Sequence, residues 1–242
     1  MVRECECRTP PAPWHLSTVH PWFTATCDTC AVETVKLIEC PRDAMQGIHT
    51  FIPTEQKVRY LAEVLTCGFD TIDIGSFVSP KAIPQLADTA EVLARIDRSG
   101  SRSKLLVIVA NERGAEEAAE QDGVTYLGYP FSISETFQRR NTNTGIEGSW
   151  ERTRNIARIT AEAKKELVVY ISMAFGNPYG DPWNADTAIR WTSKLVEELG
   201  VRIISLADTV GLAKPQDVGS MFSALIPAFA TVEFGAHLHA RK

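Results

Sequence analysis

Residues 167–206 read LVVYISMAFGNPYGDPWNADTAIRWTSKLVEELGVRIISL, the clearest strand–helix–strand unit in the chain. The apolar, β-branched run 167–174 predicts a buried strand. A turn-rich segment follows, and Asn184 then starts an amphipathic run to residue 199, which is typical of a capped helix. The apolar run 202–206 predicts the next strand. Because a helix connects the two strands, we expect them to be parallel.

The same alternation extends to both sides at intervals of about 30 residues. Strands are predicted at 35–40, 71–75, 104–110, 125–129, 167–174, 202–206 and 231–237. Helices are predicted between them at 54–66, 88–98, 112–121, 146–165, 184–199 and 215–225, with Thr54 and Asn184 as cap-type residues. Such regularity predicts right-handed crossovers, hence either a doubly wound sheet or a TIM-type (β/α)8 barrel.

Two features favour the barrel. No G-x-G-x-x-G motif follows the first strand, and polar residues cluster just after the strand ends, where barrel enzymes keep their chemistry. A complete barrel has eight strands, so a chain with seven is expected to be truncated after the seventh, with open edges on the first and last strands. Either further chain or a partner would fill that gap. The domain prediction is therefore an incomplete catalytic barrel at 34–242.

Residues 1–33 are predicted to be an irregular, disordered leader, because prolines interrupt it and it lacks apolar periodicity. Four of the six cysteines lie there as Cys5-x-Cys7 and Cys27-x-x-Cys30. A small zinc site is the alternative interpretation of these thiols, although only the second pair has the usual spacing. The cysteines are too few and too uneven for a disulfide scaffold.

Composition narrows the class of partner. The net charge of -5 and the sequence pI of about 5.6 argue against a broad basic surface for nucleic acid. No apolar run approaches the roughly 20 residues of a membrane span, and the first thirty residues lack a signal-peptide pattern. We expect a cytoplasmic protein that binds a small molecule and not a nucleic acid or a membrane, with a homo-oligomer as an allowed assembly.

Two strand ends carry residues suited to a metal ion. Arg42-Asp43 follows the first predicted strand, and His237-x-His239 ends the seventh, with both imidazoles on one face. One carboxylate and two imidazoles suit Mg²⁺, Mn²⁺, Co²⁺, Zn²⁺ or Fe²⁺, and a non-haem iron site is among the options. The non-functional alternatives are an exposed ion pair for Arg42-Asp43 and two solvated histidines for His237-x-His239. Because a barrel gathers its strand ends on one face, the joint interpretation as a site is favoured.

Four motifs in register resemble the 3-hydroxy-3-methylglutaryl-CoA (HMG-CoA) lyase family of metal-dependent TIM-barrel lyases. They are VKLIECPRD with MQ at 35–46, GSFVSPK with PQ at 75–85, SLADTVG at 205–211 and HLH at 237–239. The resemblance runs from about Val35 to the last residue. The SFVSPK motif points to the lyase branch and away from the related acyl-condensing synthases.

The resemblance implies a divalent cation, Mg²⁺ or Mn²⁺, bound by Asp43, His237 and His239. It implies that Arg42 stabilises the enolate formed on cleavage, and that Asp43 and His237 also take part in catalysis. Asp73 stands where the family usually has a glutamate, and it is expected to be catalytic with a shorter reach. The alternative for Asp73 is a solvated carboxylate at a strand end.

Further residues are expected to be catalytic or to contact an acyl-CoA substrate. Asp208 resembles a carboxylate near the metal, with a helix cap as the alternative, and Tyr170 resembles a pocket tyrosine, with a core aromatic as the alternative. Gln46 and Ser79 belong to the matched motifs and are expected to contact substrate. The predicted contacts to the coenzyme A phosphates are Lys81, Arg139 and Arg140. As part of the charge run 137–141, the two arginines have a solvated loop as the alternative.

The implied reaction is cleavage of HMG-CoA to acetyl-CoA and acetoacetate. After the His-x-His strand the family continues into a glycine-rich loop with a catalytic cysteine, an asparagine ligand and an eighth strand, which this sequence lacks. The chain alone is therefore expected to be weakly active or inactive. Two alternatives stay open: a related metallolyase that acts on another acyl-CoA or 2-oxo acid, and a non-catalytic barrel fragment.

Overall fold

The computed structural model describes residues 35–239. In this part of the chain seven parallel strands form one sheet in the order β1 to β7. A doubly wound sheet would reverse its order partway, whereas strictly sequential parallel strands are typical of a TIM barrel. The predicted fold class is confirmed. The strands are β1 (Ile38–Glu39), β2 (Thr71–Ser76), β3 (Lys104–Ile108), β4 (Val124–Ser132), β5 (Glu166–Ser172), β6 (Ile203–Asp208) and β7 (Glu233–Leu238).

Helices connect successive strands. They are α1 (Pro41–Gln46), α2 (Thr54–Thr66), α3 (Thr89–Arg95), α4 (Glu112–Ala119), α5 (Glu135–Thr142), α6 (Ile146–Glu162), α7 (Ala185–Leu199) and α8 (Pro215–Ala228), with a 3-10 turn at Pro84–Leu86. The Asn184 cap is confirmed, since its side chain accepts the backbone N–H of Thr187. The Thr54 cap was wrong: Pro53 caps α2, while the Thr54 hydroxyl donates to Asp88 at 2.8 Å.

Two short helices were not predicted. Helix α1 has only six residues, too few to show helical periodicity, although Pro41 at its first turn suits a helix start. Helix α5 covers the charge run for which a solvated loop was the alternative; the Ser134 side chain caps its start and Asn143, with positive φ, ends it. Only Gln138 of α5 is buried, so no apolar stripe marked it in the sequence.

Alternating residues of the strands face two different cores. Outward-facing side chains such as Ile72, Leu105 and Val169 pack against the helices in one large cluster. The intervening residues form a second, smaller cluster inside the curved sheet: Leu106, Tyr126, Val168 and Tyr170. The inward face is therefore apolar in its lower part, and its polar residues are placed at the carboxyl ends of the strands.

The first and last strands approach each other without pairing. Among residues 35–239, β1 is hydrogen-bonded only to β2, and β7 only to β6. Lys36, just before β1, nevertheless forms an ion pair with Glu233 at the start of β7, with 2.5 Å between nitrogen and oxygen. Side chains thus bridge the two sheet edges, and the loops after β1 and β7 lie near one another.

The predicted leader 1–33, with Cys5, Cys7, Cys27 and Cys30, lies outside the described residues. Of the helices in the described region, none has both the length and the apolar character needed to cross a bilayer. The structure describes the remaining two cysteines, Cys40 and Cys67, as free thiols.

Gly114 in α4 allows the helix to lie close to Phe77, the first residue after β2. Replacing Gly114 is expected to destabilise the protein. A Cβ at Gly114 would lie 2.2 Å from the Phe77 carbonyl oxygen. Gly114→Ala should therefore lower the free energy of unfolding by about 1–3 kcal/mol, despite the better helix propensity of alanine. Urea unfolding followed by circular dichroism measures this change.

Gly219 in α8 provides the matched control. A Cβ there meets no atom within 4 Å, so Gly219→Ala should stabilise the protein by about 0.5–1 kcal/mol. If both variants proved equally stable, the packing of Gly114 against Phe77 would not be a constraint.

Candidate active site

Helix α1 places three polar side chains together at the carboxyl end of β1. Arg42 and Gln46 are one helical turn apart, and the Arg42 Nη1 donates to Gln46 Oε1 at 3.0 Å and to Asp43 Oδ1 at 2.8 Å. Arg42 is only 8% exposed. The guanidinium is therefore held in one orientation by its own helix.

Asp73 on β2 binds the other side of the same guanidinium. Arg42 Nε donates to Asp73 Oδ2 at 3.0 Å, and Arg42 Nη2 donates to the same oxygen at 2.5 Å. Asp73 is fully buried, so the alternative of a solvated carboxylate is wrong. Burial raises the pKa of Asp73, although the Arg42 guanidinium opposes that shift. Burial lowers the pKa of Arg42, but the charge of Asp73, the hydrogen bonds to it and the charge of Asp43 together raise that pKa above its usual value.

Three ligand-type atoms converge next to this pair. The Asp43 Oδ2 lies 3.9 Å from His237 Nε2 and 3.4 Å from His239 Nε2, and the two Nε2 atoms are 3.3 Å apart. Ligands at about 2.1 Å from one ion are separated by about 3.0–3.4 Å. The two distances to the His239 Nε2 lie in this range, whereas the distance from Asp43 to the His237 Nε2, 3.9 Å, is longer and would have to shorten around a shared divalent cation. Together Asp43, His237 and His239 form the metal-ligand-type group that the sequence predicted.

The backbone fixes the ring of His239. Its Nδ1 lies 3.1 Å from the Thr209 carbonyl oxygen, which can only accept a hydrogen bond, so the proton is on Nδ1 and the Nε2 lone pair is free. The Thr209 hydroxyl in turn accepts the Met173 N–H at 3.0 Å. Sequence reasoning missed Thr209, because a backbone carbonyl leaves no residue-type signal.

Cys40 is a second residue that sequence reasoning missed. Its Sγ lies 4.0 Å from the His237 Nδ1, on the side of the ring opposite the metal-ligand atoms. Burial, reinforced by the charge of Asp73, raises the pKa of Cys40 to about 12, so the thiol is protonated at neutral pH. The only sequence signal was its place directly before Pro41-Arg42-Asp43.

Tyr170 lies on the inward face of β5, beside the cluster. Its ring meets that of His237 edge-on, with 5.9 Å between centroids. Burial and the negative charge of Asp73 raise the pKa of Tyr170 well above its usual range, and burial lowers the pKa of His237. At neutral pH a neutral phenol and a neutral imidazole therefore flank the arginine and the carboxylates.

Asp208 ends β6, and its carboxylate is used by the turn that follows. Oδ1 accepts the Leu212 N–H at 2.8 Å and Oδ2 accepts the Ala213 N–H at 3.1 Å. These bonds hold the turn that contains Thr209. Asp208 thus accepts backbone N–H groups of the segment that follows it, as a capping residue does, which is close to the helix-cap alternative. The catalytic role of Asp208 stays a prediction.

The predicted substrate-binding residues are distributed over neighbouring loops. Gln46 is in the cluster, whereas Ser79 and Lys81 lie in the turn after β2. On α5, Arg139 is ion-paired with Glu135 at 2.6 Å, and the Arg140 guanidinium lies 4.8 Å from the centre of the Tyr179 ring. The loops after β2 and β4 are thus at the same end of the sheet as the cluster, but these four side chains do not belong to it.

The turn-rich loop after β5 is anchored to α5. Asp181 accepts the Ser134 hydroxyl at 2.5 Å and the Thr136 N–H at 2.9 Å, and these bonds lower its pKa. Asn177 donates to the Asp181 carbonyl at 2.8 Å. This network holds the loop at the rim of the sheet.

A sequential parallel sheet with a buried arginine and a carboxylate–imidazole group at the strand ends defines a (β/α)-barrel protein with a metal-type site. The profile of the family described as HMGL-like matches residues 35–241. The chain belongs to the HMGL-like family. The resemblance stated from the motifs is confirmed.

Individual relatives agree with this assignment. The chain is 33% identical over 199 residues to the hydroxymethylglutaryl-CoA lyase YngG of Bacillus subtilis, covering 82% of this chain and 66% of that protein. It is 31% identical over 206 residues to the mitochondrial hydroxymethylglutaryl-CoA lyase of Mus musculus, covering 85% and 62%. The chain thus spans about two thirds of the length of these relatives.

Solved structures are similar as well. The crystal structure of the B. subtilis HMG-CoA lyase superposes with a TM-score of 0.79 at 32% identity, covering 85% of this chain and 68% of that one. An Acinetobacter baumannii HMG-CoA lyase in complex with coenzyme A and 3-methylmalate superposes with a TM-score of 0.75 at 28% identity, covering 84% and 66%.

Proposed function

We propose that this site belongs to a divalent-metal-dependent lyase that cleaves HMG-CoA to acetyl-CoA and acetoacetate. The observation that carries the proposal is the convergence of Asp43, His237 and His239 within 4.8 Å of one another. The Arg42 guanidinium directly beside them supplies a fixed positive charge. Membership of the HMGL-like family and the names of the relatives support the same reaction.

Asp43, His237 and His239 would hold the cation. When bound, a divalent cation would hold the substrate hydroxyl and an adjacent oxygen and would lower the pKa of that hydroxyl. Mg²⁺ and Mn²⁺ are the proposed ions. The exposed fractions of the three side chains, 34%, 19% and 41%, leave the site accessible to a substrate.

Arg42 would stabilise the charge that moves during cleavage. The hydroxyl loses its proton, the bond between C2 and C3 breaks, and the electron pair moves onto the thioester as an enolate, which is then protonated. Because Asp73 and Gln46 already fix the guanidinium, it would meet the enolate oxygen without rearranging, and such preorganised cations contribute a few kcal/mol.

A carboxylate would accept the hydroxyl proton. The sequence leaves a carboxylate and His237 as alternatives. In the folded site the His237 Nε2 faces Asp43 and His239, and its Nδ1 faces Cys40. Neither ring nitrogen is then available to a substrate hydroxyl, and Asp73 is fully buried against Arg42, which favours the partly exposed Asp43 as the acceptor.

An acyl-CoA would occupy the rim of the sheet. Ser79 and Tyr170, with Gln46, are the proposed substrate contacts near the acyl group, and Lys81 is a proposed contact to the coenzyme A phosphates. Arg139 and Arg140 on α5 are the proposed phosphate contacts, and Arg139 would exchange Glu135 for a phosphate oxygen. The bound coenzyme A in the A. baumannii relative supports this class of ligand.

Calorimetric titration of the purified chain with HMG-CoA, with and without Mn²⁺, tests the proposal. We expect binding that requires Mn²⁺, and release of acetyl-CoA and acetoacetate detected by chromatography after long incubation. Binding is the primary measurement because it does not depend on the rate of turnover. If the chain cleaved another 3-hydroxyacyl-CoA and not HMG-CoA, the proposed substrate would be wrong. If the chain bound no Mn²⁺, the proposed metal site would be wrong.

A further inference from the structure

The two histidines of the metal-ligand group are held by different partners. The Thr209 carbonyl oxygen accepts from Nδ1 of His239 at 3.1 Å. The Nδ1 of His237 has the Cys40 sulfur at 4.0 Å, which is the outer limit of an N–H···S hydrogen bond. Metal-binding histidines almost always donate their second ring N–H to an acceptor, which fixes the tautomer and the ring orientation.

We propose that Cys40 is a positioning residue for His237: its sulfur accepts the Nδ1–H and keeps the Nε2 lone pair directed at the metal position. The inference rests on the metal-binding role proposed above for His237. Without an ion, the opposite tautomer can donate its Nε2–H to the His239 Nε2 at 3.3 Å, and this form cannot bind a metal, so an acceptor at Nδ1 favours the metal-binding form.

The contact between Cys40 and His237 joins two parts of the metal-ligand group. The Cys40 carbonyl accepts the N–H groups of Asp43 at 3.1 Å and Ala44 at 3.2 Å, so Cys40 belongs to the same turn as the ligand Asp43. His237 is on β7, which in the described residues has no backbone hydrogen bond to β1. The sulfur therefore links the turn that carries Asp43, directly after β1, to His237 on β7. Because these two strands do not pair, a small displacement between them would separate Asp43 from the histidines.

The tautomer of His237 provides a direct test. Nitrogen-15 NMR of the metal-free, histidine-labelled chain, with His237 assigned from the spectrum of His237→Gln, should show a measurable share of the Nδ1–H form in exchange with the Nε2–H form. In Cys40→Ala the proton should redistribute toward Nε2, the usual form of free histidine. If the share of the Nδ1–H form is the same in Cys40→Ala as in the unmodified chain, the proposal is overturned.

Metal affinity provides the second readout. Titration with Mn²⁺ should give a Kd about tenfold weaker for Cys40→Ala, at the lower end of the effect expected for such partners because sulfur is a weak acceptor. Cys40→Ser keeps an acceptor and should stay within about threefold of the unmodified chain. Cys67→Ala, which removes an exposed thiol at the end of α2, should change neither Kd nor tautomer.

The outcomes separate this inference from the proposed function. If the unmodified chain binds no Mn²⁺, the proposed metal site fails. If it binds Mn²⁺ and Cys40→Ala binds equally well with the same tautomer, only the role of Cys40 fails. Loss of affinity in Cys40→Ser as severe as in Cys40→Ala would also contradict an acceptor role and would indicate packing instead.

Discussion

Asp43→Ala is expected to weaken Mn²⁺ binding by at least a hundredfold. Asp43 supplies the only carboxylate oxygen near both Nε2 atoms in the described part of the chain, at 3.4 and 3.9 Å. Two imidazoles remain in the variant, and they are poor ligands for Mn²⁺, which prefers oxygen. The effect should exceed the 10–100-fold seen when outer-shell partners of metal ligands are lost. Calorimetry or Mn²⁺ electron paramagnetic resonance measures it.

The fold should survive this change. Arg42 loses one acceptor, at 2.8 Å, but keeps Asp73 and Gln46. We expect the free energy of unfolding to fall by about 1 kcal/mol or less, so metal binding and stability separate. Asp97→Ala, which removes a carboxylate that caps an exposed turn at Ser99, is the matched control and should bind Mn²⁺ normally. Tight Mn²⁺ binding by Asp43→Ala would exclude this cluster as the metal site.

The fold class could be predicted because strand and helix signals are long and local. The buried runs of β3 and β5 and the amphipathic α7 each show the periodicity of their element in the sequence. Asn184, a cap-type residue, indicated the start of α7. Strand limits were less accurate. The prediction ended β4 before Pro130. In the structure Pro130 lies within β4, opposite Tyr170, so its missing N–H does not interrupt the pairing of β4 with β5.

The ligand group could be predicted because parallel strands collect their carboxyl ends. The motifs gave Asp43, His237 and His239, and the sheet brought them together. What the sequence could not show was how these groups are held. The pairing of Arg42 with Asp73 joins residues 31 positions apart, and the contact of Cys40 with His237 joins residues 197 positions apart, so neither has a local signature.

Asp73→Leu is expected to destabilise the protein more than any other single change discussed above. It would leave the buried Arg42 guanidinium without its main counter-charge, and breaking such a buried pair typically costs about 3–5 kcal/mol. Asp43 and Gln46 still accept from Nη1, which places the expected loss near the lower end, about 3 kcal/mol. Urea unfolding at pH 7 measures it. The double variant Arg42→Met/Asp73→Leu removes both charges and should recover much of the loss.

The two halves of the pair should differ in their response to pH. A guanidinium cannot lose its proton, so Asp73→Leu should be destabilised equally at pH 5 and pH 8. In Arg42→Met the buried Asp73 can take up a proton instead.

Burial already raises the pKa of Asp73 and Arg42 opposes that shift, so removing Arg42 raises the folded-state pKa further above the unfolded value of about 3.9. A raised folded-state pKa stabilises the fold below the unfolded pKa, and this contribution is lost as pH rises through the folded one. The deficit of Arg42→Met relative to the unmodified chain should therefore be smallest near pH 4 and grow toward pH 8. A deficit that is independent of pH would mean that Asp73 stays ionised without its partner, and that the arginine is not what keeps this carboxylate charged in the fold.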